Sequence, residues 1–216
     1  MMLFILRFER AISSIMQLKL TKDALDRTFA LLSGLLDLRR AEPVHLVICG
    51  GSALIATDLR ERTTNDADVL ALMNPAGQLI SPAPLPPLLL ATAAQVARDL
   101  GLPPDWLNNG PSADDGGLFQ MGLPAGLEER LSGRTFGPRL TVSFIGRLDQ
   151  IHFKLYAAAD QRDATHLADL AALTPTDGEL ELAARWAMTH DVSEGFRWIL
   201  RELLEELGHG NAARNL

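Results

Sequence analysis

Residues 44–72 read VHLVICGGSALIATDLRERTTNDADVLAL, and the fold turns on where this stretch changes character. His45 to Cys49 is a short apolar run with β-branched members that stops abruptly at Gly50-Gly51, which suits a buried strand rather than a helix. Beyond the glycines, Ala53, Leu54, Ala56 and Leu59 recur at helical spacing. They predict a short helix with Ser52 as its N-cap, ending near Arg60. Strand, glycine turn and helix N-terminus together form an anion site. Glycines let the backbone approach a phosphate closely, and the free N–H groups and dipole of a first helical turn favour negative charge.

A second strand is predicted in Thr63-Thr64-Asn65-Asp66-Ala67-Asp68-Val69-Leu70. Residues i and i+2 of a strand share a face, so Asp66 and Asp68 stand side by side. Two adjacent carboxylates repel unless a cation joins them. Oxygen ligands at this spacing suit Mg²⁺, or Mn²⁺, bound jointly with substrate phosphates. A phosphate cradle beside such a pair implies nucleoside triphosphate chemistry; the plain alternative is a turn followed by a solvated strand edge. No Lys-Ser/Thr follows the glycines as a P-loop requires, and there is no G-x-G-x-x-G.

Gly50-Gly51-Ser52, thirteen residues, then Asp66-Ala67-Asp68 resembles the Gly-Ser to Asp-x-Asp signature of the nucleotidyltransferase superfamily with the DNA polymerase β-like fold. Downstream, Lys154, Ala157, Arg162 and Asp169-Leu170 in KLYAAADQRDATHLADL resemble the Lys…Ala…Arg…Asp-Leu segment of AbiEii-like nucleotidyltransferases, which include toxins of toxin-antitoxin pairs. The two matches span roughly residues 44 to 173. The resemblance implies an α/β (α+β) protein: a nucleotidyltransferase-type mixed sheet flanked by helices, with a C-terminal helical subdomain. It also implies Mg²⁺-dependent transfer of a nucleoside monophosphate from a nucleoside triphosphate to an acceptor hydroxyl. RNA or tRNA is a candidate acceptor, and an antitoxin protein a candidate partner.

In that scheme Asp66 and Asp68 hold the metal. Gly50, Gly51 and Ser52 hold the outer phosphates, with Arg62, Thr64 and Arg162 counted among the nucleotide-binding residues. Lys154 offsets phosphate charge, and Asp169 orients or deprotonates the acceptor. The superfamily commonly draws a third carboxylate from a later strand. Here that strand is predicted at Leu140 to Ile145, and its polar positions are Thr141 and Ser143. The missing acid keeps open a non-catalytic nucleotide- or partner-binding protein on the same fold. Metal-dependent phosphodiester hydrolysis by a nuclease-like reaction is the other alternative.

The rest of the chain fits around this centre. With 216 residues and 47% hydrophobic side chains, it supports one sizeable core or one domain with a helical annex. The formal charge of −7 argues against a coat of non-specific nucleic-acid contacts, while leaving room for a local basic groove. Arg130, Arg134, Arg139, Arg147, Lys154 and Arg162 give the middle of the chain a positive balance, which fits either a bound polyanion or a solvated, scattered surface. The single cysteine, Cys49, cannot form an internal disulfide and fits a reducing cytoplasm.

Residues 1–20 read as a dispensable extension, with Met16 an alternative start. The four-residue apolar run Leu3 to Leu6 is neither a signal peptide nor a membrane span. Residues 21–150 form the α/β part and 151–216 the helical subdomain. Helices are predicted from Thr21 to about Arg40, Leu88 to Leu100 and Leu148 to Leu173, then from a capping box at Thr176 to Glu179, and from Ser193 to Leu207. Trp106 reads as a loop anchor, with base stacking as its alternative. His166, near Asp163 and Asp169, reads as a surface pairing rather than a metal ligand.

Overall fold

The computed structural model describes residues 19–161 and 163–216. Met16 and the proposed extension up to Leu18 lie outside the described residues, as does Arg162. Helix α1 (Lys22–Leu38) opens the described chain. Thr21 caps it, its hydroxyl accepting from the Ala24 N–H at 3.3 Å, and Leu25, Phe29, Leu32 and Leu36 bury one stripe. The chain then leaves the helix through Arg40, whose positive φ breaks helical geometry before Glu42-Pro43 is reached.

Strand β1 (Val44–Cys49) runs into α2 (Gly50–Ala56), and β2 (Ala67–Met73) returns antiparallel to β1. Next come β3 (Leu79–Ile80), α3 (Pro87–Leu100), β4 (Leu107–Asn108) and the short α4 (Leu118–Met121). A hairpin of β5 (Ser132–Gly137) and β6 (Leu140–Phe144) follows. The six strands form one mixed sheet in the order β3-β2-β1-β6-β5, with β4 pairing parallel to β2 beside β3. β6 lies parallel to β1, so the C-terminal ends of both strands and the start of β2 meet at one edge of the sheet.

Register at that edge is set by a bulge. Leu46 faces Leu72 and Val47 faces Ala71, but Ile48 then faces Val69, so Leu70 is an extra residue on β2. Asp68, rather than Val69, therefore comes to stand opposite Cys49. One apolar cluster covers the sheet, with Phe29, Trp106, Phe136 and Phe144 meeting at centroid distances of 5.3 to 6.4 Å around Phe29. A second joins Leu54 to the C-terminal helices α5 (Arg147–Gln161), α6 (Ala164–Ala172), α7 (Asp177–His190), α8 (Glu194–Glu206) and α9 (Gly210–Arg214).

One expectation needs correction, and one strand was not foreseen. The single helix from Leu148 to Leu173 is two, because the Asp163 carboxylate accepts from the Thr165 N–H at 2.7 Å and caps a new start at α6. The arginine-rich stretch includes the edge strand β5, which has no fully buried residue and so shows no apolar alternation. No described helix is long and apolar enough to cross a membrane.

Trp106 is fully buried, its indole N–H donating to the Ala93 carbonyl at 2.9 Å. It belongs to the core and is not available to stack on a base. Trp106→Ala is expected to cost about 3–5 kcal/mol in urea denaturation.

Candidate active site

A cleft of about 660 Å³ opens where β1 ends, β2 begins, and α5 and α6 pass by. Its floor is the glycine turn. Gly50 has φ of +70°, and a Cβ there would sit 2.6 Å from Oδ2 of Asp68. A Cβ on Gly51 would come 2.9 Å from the Thr64 hydroxyl. These two glycines are required because the side chains of Asp68 on β2 and of Thr64 on the segment leading into it occupy the space where theirs would be. Helix α2 starts at Gly50 itself with Cys49 as N-cap, not at Ser52. Ser52 is fully buried, its hydroxyl donates back to the Cys49 carbonyl at 3.3 Å, and it does not line the cleft. The helix spans only seven residues, from Gly50 to Ala56, well short of Arg60.

Asp66 immediately precedes β2 and Asp68 lies within it, and both line the cleft. The Thr64 hydroxyl donates to Asp66 at 2.9 Å, and the Thr64 backbone is held by a two-way bridge to Leu20. Burial, followed by the nearby charge of Asp66, pushes the Asp68 carboxyl up to about 6. A hydrogen bond from Asn108 and the charge of Lys154 oppose that rise without cancelling it. Two crowded oxygen donors suit a hard cation that takes its remaining ligands from water and phosphate, so the pair fits Mg²⁺ or Mn²⁺. β6 adds no acid: Thr141 and Ser143 stand on it, and Ser143 shares a 2.8 Å hydrogen bond with His45. No group of three or more His, Cys, Asp or Glu side chains is poised for a metal among the described residues.

The opposite wall carries positive charge. Asp169 is fully buried in α6 and receives Lys154 Nζ at 2.9 Å, Arg62 Nη1 at 2.6 and 2.8 Å, and Arg60 Nη1. Burial alone would raise the Asp169 carboxyl; hydrogen bonds and charge from Lys154 and Arg62 outweigh it and hold the group low. Both its oxygens are occupied, which unsuits it as a proton acceptor. Three cations meet this one carboxylate; Arg62 and Lys154 line the cleft and Arg60 does not, and Asp114 and Asp160 add acid elsewhere on the lining. His166 lies 3.5 Å from Lys154 and 3.2 Å from Gln161, and burial lowers its pKa. It adds no charge at neutral pH.

The cleft thus brings together Gly50, Gly51, Arg62, Thr64, Asp66, Asp68, Lys154 and Asp169. The wider basic groove does not form. Arg130 is held by buried Asp149 at 2.6 Å, Arg134 by Asp26 at 3.1 Å, Arg139 by Asp37 at 2.9 Å and Arg147 by Glu179 at 2.5 Å. Sequence reasoning missed Arg60, Gln150 and Tyr156. The last two lie on the same cleft-facing helix as Lys154, and the spacing of Gln150 four residues before it is the signal that could have found Gln150.

Between about pH 4 and 6 the native chain keeps a proton on Asp68 that the unfolded chain has lost, so the metal-free protein loses stability as pH rises through that window. Asp68→Asn removes the penalty. It is expected to stabilise the metal-free protein by on the order of 2 kcal/mol near neutral pH and to flatten the melting temperature across the window; an unchanged slope would exonerate Asp68. Asp169→Ala acts in the opposite sense, leaving Lys154 and two arginines without their buried counter-ion. Its expected cost in urea denaturation is about 3 kcal/mol. Comparison of the chain with family models, curated proteins and solved structures returned no match.

Proposed function

We propose that this chain is a Mg²⁺-dependent nucleotidyltransferase that moves a nucleoside monophosphate from a nucleoside triphosphate to an acceptor hydroxyl, with an RNA or tRNA end, a protein hydroxyl and a small molecule as the candidate acceptors. One observation carries the reading: the cleft is bipolar. Two carboxylates, Asp66 and Asp68, occupy one side, and the cations Arg62 and Lys154, gathered on Asp169, line the other, with Asp114 and Asp160 elsewhere on the lining. A bare anion or a bare cation would satisfy only half of it. A metal-bound triphosphate satisfies both.

Asp66 and Asp68 hold the cation, whose chemistry is to neutralise phosphate charge as it shifts to the leaving group. Arg62 and Lys154 face the triphosphate, and Asp169 positions both through its 2.6 and 2.9 Å contacts. Gly50 and Gly51 keep the turn bare so that the acid pair can reach the cleft. The acceptor oxygen bonds to the α-phosphorus in line, the bond from that phosphorus to the bridging oxygen breaks, and pyrophosphate departs. The hydroxyl proton passes to water, because the oxygens of Asp169 are taken up by Lys154 and the arginines. Tyr156 and Phe153 line the cleft beside Lys154, but their rings pack on Trp186 and its neighbours in the helical layer.

The lack of an acid on β6 favours a second reading, nucleotide binding without turnover on the same fold. An antitoxin protein remains the proposed partner in either case, and hydrolysis of a phosphodiester is the variant in which water replaces the acceptor. Isothermal titration of each nucleoside triphosphate with Mg²⁺ is expected to give metal-dependent binding to the wild type, lost in Asp66→Ala/Asp68→Ala. Pyrophosphate release with an RNA acceptor identifies transfer; binding without it identifies the second reading, and shortened RNA the hydrolase. No binding of any nucleotide refutes the proposal.

A further inference from the structure

One face of α5 is turned to the cleft, and Gln150, Lys154, Ala157 and Gln161 follow one another along it. Lys154 is engaged by Asp169, and Gln161 by His166. Gln150 is different. Its side chain is fully buried yet lines the cleft, and its Nε2 donates to the Gly50 carbonyl at 3.1 Å. That bond fixes which way the amide points, since the reverse would set two oxygens against each other. Oε1 is then the free end, and among the described residues no donor reaches it. An unpaired buried acceptor is destabilising, so its persistence in a residue of the cleft wall marks a place where a ligand supplies the missing partner.

Its neighbours identify that ligand. Gly50, the residue Gln150 holds, is the same one whose absent Cβ makes room for Asp68 Oδ2. The Gln150 amide and the Asp68 carboxylate therefore converge on one turn, and Asp66 crowds Asp68 there. All are oxygen acceptors. A ribose hydroxyl or base amino group would satisfy Gln150 alone and leave the carboxylates crowded; a cation serves all three. Building on the cation site proposed above, we infer that Gln150 Oε1 is its third protein oxygen, a neutral amide ligand in place of the carboxylate that β6 lacks. With two negative charges instead of three, the site holds a bare divalent ion weakly and holds it more tightly once a triphosphate adds its own oxygens.

The test is Mn²⁺ alone, titrated into the full chain with free Mn²⁺ counted by electron paramagnetic resonance. Thermal melts by circular dichroism first establish which variants are folded. Gln150→Met keeps the volume but removes both polar ends; Gln150→Asn, the second variant, keeps an amide and withdraws it by one methylene. Each is expected to weaken Mn²⁺ binding at least tenfold, given that even an outer-shell partner of a metal ligand is worth roughly 10–100-fold. The tightening of Mn²⁺ by added nucleoside triphosphate should survive in both. Mn²⁺ affinity equal to wild type in either folded variant, with binding abolished in Asp66→Ala/Asp68→Ala, overturns the role of Gln150 alone. Unchanged Mn²⁺ binding in the double variant overturns the cation site on which it rests.

Discussion

The pairing of Cys49 with Asp68 across β1 and β2 is the constraint on which the cleft depends. The bulge at Leu70 shifts β2 by one residue and decides that an aspartate, not Val69, meets the end of β1. In a strand a shift of one residue exchanges the faces. Asp68 is thereby delivered to the turn, and Gly50 is the residue that can tolerate it, at 2.6 Å from where a Cβ would lie. The sheet therefore supplies the acid pair at a cost in local electrostatics, visible in the raised Asp68 carboxyl. Stability given up at a site in this way is the usual mark of groups placed for a ligand rather than for the fold.

Asp169 does the complementary task across the helical layer. It sits in α6 and holds Lys154 of α5 together with Arg60 and Arg62 from the segment between α2 and β2. One buried carboxylate thus ties two helices to the loop that leads into the acid pair. Arg62 and Thr64 stand on that loop, and Thr64 in turn orients Asp66. The negative and positive walls of the cleft are accordingly linked through a few residues of chain, and a disturbance at Asp169 is transmitted to Asp66 by covalent connection.

Where periodicity and caps are local, the sequence is legible. Thr21, Gly101, Thr176 and Ser193 mark helix ends that the structure places at α1, α3, α7 and α8, and the apolar stripe of α1 is the buried one. The turn and the acid pair were also readable, because they lie within nineteen residues of one another, from Gly50 to Asp68. β5 was not, since an exposed edge strand of Ser, Gly, Arg and Thr has no apolar rhythm. Nor were the partners of Asp169, because Arg60 and Arg62 precede it by 109 and 107 residues, and no short-range pattern encodes such a meeting. Ser52 misled for a physical reason: a serine after glycines has the chemistry of an N-cap, but the helix is already bounded from Gly50 and Ser52 turns inward.

The arginines from Arg130 to Arg147 carry a consequence for how any long acceptor would be held. Arg130, Arg134, Arg139 and Arg147 each neutralise an acid of the protein itself. A phosphate backbone laid across them would have to compete with those acids and would displace few condensed counter-ions. Grip on a long polymer would then vary little with ionic strength, and discrimination between acceptors would rest on the shape of the end that enters the cleft rather than on the length of chain that trails outside it.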